Sequence, residues 1–181
     1  MKNQFFSINL IFSLLILFSF SCEKDTEGYP EDESELITTV SITFTPASGT
    51  AKSFKWTDKD GAGGIAPVIE SIVLAANTSY TISTSFLDES KSPAYNVTEE
   101  ILEDGYEHLV CYTSSGSAPA VQITDLDKKK DPLGLAGTLK TTTAGNGSLQ
   151  IILKHIPDKK STTPCSTGET DIEVTFPVTI N

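Results

Sequence analysis

The chain has no arginine, a single tryptophan, a single methionine and two histidines among its 181 residues. With 13 lysines against 24 acids, its formal net charge is −11. That balance excludes nucleic acid as a partner, because phosphate binding depends on clustered Lys and Arg. There is no Gly-x-Ser-x-Gly elbow, no Gly-rich phosphate loop and no Cys-x-x-Cys pair. The serines and threonines have no base at a diagnostic spacing, so the residues support no enzyme class. Long apolar runs are also scarce. The one present, Leu10 to Phe20, has 11 residues. A helix rising ~1.5 Å per residue would cover with it only about half of a ~30 Å hydrocarbon core, which excludes a spanning helix.

What is there begins with that run. It follows Lys2 and leads into Ser21-Cys22, the three-part plan of an export signal. Ser19 and Ser21 put small side chains on the two subsites that a signal peptidase reads. The stretch resembles a bacterial lipobox, whose cysteine takes diacylglycerol on sulfur and becomes the new N-terminus. With Phe20 inside the box, it is similar to the looser lipoboxes of the Bacteroidota. The expectation is a signal peptide over 1–21, lipid attachment at Cys22, an acidic flexible tether over 22–35 and one domain over 36–181. Acyl chains anchor by ~0.8 kcal/mol per buried methylene, so two or three give stable attachment to a membrane.

Between Glu23 and Glu35 there are seven acids, one lysine and almost nothing to bury. Such a segment cannot offset its chain entropy. The charged patch directly after the cysteine resembles the surface-export signal of Bacteroidota lipoproteins, which implies an outer-membrane anchor facing the cell surface rather than the periplasm. Cleavage after residue 21 removes one basic residue, Lys2, and no acid, leaving a net charge of −12. It also removes five of the nine phenylalanines, yet what remains is long enough to bury a real core.

The dominant period of that remainder is two. Val40, Ile42 and Phe44 alternate with polar residues, as do Tyr80, Ile82 and Phe86, and Ile172, Val174, Phe176, Val178 and Ile180. Strands wet on one face and buried on the other read this way. Weaker strand patterns cover Lys52–Thr57, Val68–Leu74, Tyr106–Thr113, Ala120–Asp125, Thr138–Thr143 and Ser148–His155. About nine strands with turn signals between them predict an all-β fold, an antiparallel sandwich of the immunoglobulin or fibronectin-III kind. Ala144-Gly145-Asn146-Gly147 predicts a hairpin between the last two of those weaker strands, and Pro177 predicts that the final strand is an edge or is bulged there. Leu74 and Thr78 stand six and two residues before Tyr80, similar to a tyrosine corner. Asn96 to Asp104 predicts one short connecting helix, capped by Asn96 or Thr98 and stopped by Gly105.

Few residues offer chemistry. His108 beside Glu107, and His155 at the end of a strand, lie near Glu169 and Asp171 if both strand ends meet. Imidazole with carboxylate suits a transition metal such as Zn²⁺, Cu²⁺ or Ni²⁺, provided that three or four ligands converge at ~2 Å. Hydrogen-bonded strand histidines are the alternative. Asp58 to Gly64 lacks the oxygen ligands of a calcium loop and reads as a glycine-rich turn, and Asp125 to Pro132 as an exposed loop. Cys111 and Cys165 can close a disulfide around a loop of 54 residues, contributing ~4 kcal/mol on the chain-entropy account. Cys111 can equally be a small apolar core residue.

Several phrases, among them Trp56-Thr57-Asp58-Lys59-Asp60-Gly61, Glu107-His108, Leu153-Lys154-His155 and Gly168-Glu169-Thr170-Asp171, resemble a family of small, largely uncharacterised Bacteroidota lipoproteins. Members sometimes carry the label of a type 1 periplasmic-binding fold, an α/β architecture. The strand periodicity here, without helices long enough to cover a parallel sheet, excludes that fold. The expectation for function is a cell-envelope binding module that captures a metal ion or a small nutrient for a TonB-dependent outer-membrane receptor. Its alternative is a structural or adhesive surface protein with no small ligand.

Overall fold

A computed structural model describes residues 36–61 and 63–181. The segments expected as signal peptide and acidic tether, with Cys22, lie outside the described residues. The described chain is an all-β sandwich of two sheets, with one α-helix. Strands β1 (Thr39–Pro46), β2 (Lys52–Thr57), β3 (Val68–Ile69), β5 (Ser79–Leu87), β7 (Gln122–Ile123) and β8 (Ala136–Lys140) form one sheet, in the order β3-β2-β1-β5-β8-β7. Strands β4 (Ile72–Leu74), β6 (His108–Gly116), β9 (Gly145–His155) and β10 (Glu169–Ile180) form the other, in the order β4-β10-β9-β6. Pairing is antiparallel except between β10 and β4.

The inward residues of the period-two strands make the core. Val40, Ile42, Phe44, Ile82 and Phe86 from the first sheet meet Leu149, Ile151, Leu153, Val174 and Phe176 from the second, all buried. Removing such side chains from water contributes ~1.5–3 kcal/mol each. Phe44 adds edge contacts with Phe54 and Tyr80, at ring separations of 5.9 and 6.1 Å. The tyrosine corner forms: the Ala75 N–H donates to the Tyr80 phenol oxygen at 3.0 Å. A residue not foreseen braces it. Thr141 is buried, accepts the Thr78 N–H at 2.9 Å and donates to the Ala75 carbonyl at 2.7 Å.

Three expectations are corrected. Val68–Leu74 is two strands. Val68 and Ile69 pair with β2, the Glu70 N–H closes that ladder on the Lys55 carbonyl at 2.9 Å, and the chain then crosses to pair Ile72–Leu74 with β10 in the other sheet. Residues 144–147 are no hairpin, because β8 and β9 belong to different sheets. Gly147 lies within β9, where a Cβ would stand 2.2 Å from the Ser115 carbonyl, so glycine there permits a close backbone approach rather than a positive-φ turn. The helix α1 (Val97–Glu103) is where it was expected, but neither proposed side chain caps it. Thr98 Oγ1 accepts from the Phe86 N–H at 2.8 Å and docks the helix on β5.

Pro177 pairs with Ser148 of β9, one residue before β10 gains β4 as its second neighbour at Val178, so it lies where that side of the strand has no described partner. The bulge in β10 falls elsewhere, between Thr170 and Ile172.

Candidate functional site

The end of the second sheet brings together what the sequence left apart. α1 stops at Glu103, and a tight turn follows in which the Glu107 N–H donates to the Asp104 carbonyl at 2.8 Å. β6 therefore begins at His108, and antiparallel register sets it opposite His155, the last residue of β9. Opposed residues in such a pair have Cβ atoms ~4.5–5.5 Å apart, and here the two imidazoles stack with centroids 5.0 Å apart and planes 6° from parallel. His108 is buried, and its Nδ1 lies 3.1 Å from the Asp104 carbonyl. A carbonyl only accepts, so Nδ1 carries the hydrogen.

On the other flank, β10 pairs Glu169 with His155 and Thr170 with Lys154, then bulges at Asp171. A bulge re-aims one side chain, and this one sets Asp171 Oδ1 4.0 Å from His155 Nδ1. Lys154, buried beside it, donates to Thr170 Oγ1 at 2.8 Å. Gly168 has φ +69°, and a Cβ there would stand 2.3 Å from the His155 carbonyl, so the approach to the bulge requires glycine.

Of the five residues named as metal ligands, His108, His155 and Asp171 meet. Glu107 is half-buried, with its carbonyl accepting the Ile156 N–H at 2.7 Å, and Glu169 is exposed at the start of β10. Imidazole lone pairs lie in the ring plane, and two nearly parallel stacked planes do not share a point at ~2 Å from both nitrogens. Accordingly, among the described residues no group of three His, Cys, Asp or Glu side chains is placed to hold a metal ion. The multi-ligand metal centre expected from the sequence is not assembled. What remains is a half-buried imidazole–carboxylate couple, His155 with Asp171, backed by a buried histidine.

The loops around this end are held by an ion pair that sequence reasoning missed. Lys159 Nζ donates to the Gly105 carbonyl at 2.6 Å, the Pro132 carbonyl at 2.9 Å and Asp127 Oδ2 at 2.9 Å. Asp127 Oδ1 accepts the Lys129 and Asp131 N–H groups at 2.8 and 2.9 Å. Burial pushes the Asp127 carboxyl pKa up, but the Lys159 hydrogen bond and charge, with the Asp131 and Lys129 N–H groups, outweigh it and leave the pKa below its ordinary value. The segment expected as an exposed loop is thus organised about a buried carboxylate. Asp125 adds to it, accepting the Gly134 and Leu135 N–H groups at 2.9 Å each.

Cys111 and Cys165 form a disulfide, with Cα atoms 5.9 Å apart, and Cys111 is buried as well as bonded. It fixes the 3₁₀ turn Pro164–Ser166 against β6. Elsewhere, the outer face of the first sheet carries a depression of about 410 Å³ lined by Pro46, Tyr80, Gln122 and Lys140 among others, within the size range of small-ligand sites. No helix among the described residues is long and apolar enough to cross a membrane. Compared with known protein families, with curated proteins and with solved structures, the chain matches none.

Proposed function

We propose that this chain is an exported lipoprotein of the bacterial cell envelope, acylated on Cys22, whose β-sandwich is a binding module. The observation that carries the address is the Cys111–Cys165 disulfide. Disulfides persist outside the reducing cytosol, and the remaining cysteine of the three is the one that follows the apolar leader. The resemblance to Bacteroidota lipoproteins and the cell-surface face of the outer membrane belong to the same proposal. Its test is membrane fractionation of the native host. Wild-type protein sediments with the outer membrane and is released by detergent, whereas Cys22→Ser is recovered without detergent. Equal behaviour of the two rejects the anchor.

For the ligand, the couple of His155 and Asp171 is the chemistry on offer. It supports capture of a metal ion or a small nutrient complex that brings further donors of its own, for hand-over to a TonB-dependent outer-membrane receptor. Calorimetric titration with Zn²⁺, Cu²⁺ and Ni²⁺ tests the metal version. Binding should be lost in His155→Ala. No heat, or heat unchanged by that substitution, removes it.

A second reading has an observation of its own. Ile65 and Val68 stand well exposed at the β3 edge, as expected of a structural or adhesive module that meets a surface rather than a small molecule.

A further inference from the structure

The β3 edge of the first sheet presents a cluster of apolar side chains to solvent. Ile65 is 79% exposed, Val68 70%, Leu36 50% and Ile69 41%. They are neighbours. Ile65, Ala66 and Val68 form the apolar side of one depression of about 390 Å³, whose other side is Thr57, Asp58, Lys59 and Asp60. Ile69, opposite Trp56 in the β2–β3 register, points to the other face of the same edge from Val68, and Leu36 lies against the turn, 4.0 Å from where a Cβ on Gly61 would be. The segment is built rather than frayed. Asp60 Oδ2 accepts the Ile65 N–H at 2.7 Å, and Glu70 Oε2 accepts the Lys55 N–H at 2.8 Å.

Contiguous exposed apolar residues mark a contact surface. A strand of two residues offers little ladder for strand addition by another chain, so side chains rather than backbone must make the contact. What identifies the surface is the position of Leu36, 14 residues after Cys22. Even at full extension a chain of that length reaches only about 50 Å. On the reading that Cys22 is acylated, on which this inference rests, the surface held continuously within reach of the patch is the bilayer itself. Such tethering raises the effective concentration of a weak second contact without any new affinity.

We propose that the β3 edge rests on the bilayer, with Leu36, Ile65, Val68 and Ile69 set into the headgroup boundary beside the protein's own lipid. The sandwich then lies against the membrane. The acids between Glu23 and Glu35 oppose contact with anionic lipid, so apolar burial rather than charge must supply the contact.

Trp56 makes the proposal measurable, being the single tryptophan and the register partner of Ile69. The acylated full chain, its mass confirmed, is reconstituted into phosphatidylcholine vesicles with or without bromine on the acyl chains. The expected result is a blue-shifted Trp56 emission that brominated lipid quenches. In the Ile65→Ser/Val68→Ser variant the quenching should be lost while the protein stays vesicle-bound through its lipid. Both positions are exposed, so the fold should be kept, which circular dichroism checks. Unquenched emission from acylated wild type overturns the proposal, as does equal quenching in the variant. A wild-type dimer in detergent that the variant abolishes also overturns it, by assigning the patch to a second copy. A mass without acyl groups contradicts the lipoprotein reading instead.

Discussion

Lys159 and Asp127, 32 residues apart, form a buried ion pair in which one ammonium also satisfies the carbonyls of Gly105 and Pro132. A single cation thereby joins the turn after α1, the loop before β8 and the loop after β9. The stacked histidines border two of those connections, His108 opening β6 and His155 ending β9.

Removing one partner leaves the other charge buried without compensation. Lys159→Met or Asp127→Ala should each lower unfolding free energy by about 3–5 kcal/mol in denaturant titrations. The double variant should cost less than the sum of the two, since the second change removes the stranded charge. Additive losses would show that the pair is not coupled.

The same carboxylate sets an acid limit. Against the upward push of its own burial, its pKa is lowered in the folded chain by the Lys159 hydrogen bond and charge and the Asp131 and Lys129 N–H groups, so the folded state holds fewer protons there than the unfolded one. Stability from this group is fully present above the unfolded value and is lost as pH falls from about 4 through the lower folded value. Asp88 acts in the same direction, held down chiefly by the Ser90 hydroxyl, with the Ser90 N–H and Lys91 assisting against its own burial. Unfolding free energy measured between about pH 5 and pH 2 should therefore fall steeply in wild type and less so in Asp127→Asn.

The corner at Tyr80 makes a third case. Tyr80→Phe removes the hydroxyl that accepts the Ala75 N–H and should cost about 1–3 kcal/mol. Thr141→Val, which strips from a fully buried hydroxyl the bond it accepts from the Thr78 N–H and the one it donates to the Ala75 carbonyl, should cost at least as much, with the m-value unchanged.

Opening the disulfide frees a loop of 54 residues. Cys111→Ala/Cys165→Ser should lose about 4 kcal/mol and make thermal unfolding insensitive to reductant, whereas the wild-type midpoint should drop when reductant is added.

What could be read in advance followed from local pattern. Alternation along Val40–Phe44, Tyr80–Phe86 and Ile172–Ile180 reports one buried face, and it gave the sandwich and most strands. Tyr80 was legible because its corner spans seven residues. What failed was set by distant partners. The crossing at Glu70 depends on β10, a hundred residues later, and Gly147 looked like a turn residue although its role is contact with Ser115 on another strand. At the candidate site, the strand ends of His108 and His155 were visible but not their register. A bulge brought Asp171 in while the pleat left Glu169 outside, and no spacing announces either. Lys159 carried no signal, since its partners lie on two other connections far away in sequence.

The account rests on what happens at one sulfur, and intact-mass spectrometry of the protein from native membranes reads it directly. It predicts a chain beginning at residue 22 and heavier than its sequence by a diacylglyceryl group, with or without a further acyl chain. A chain with an unmodified Cys22, or one that still carries residues 1–21, would contradict it.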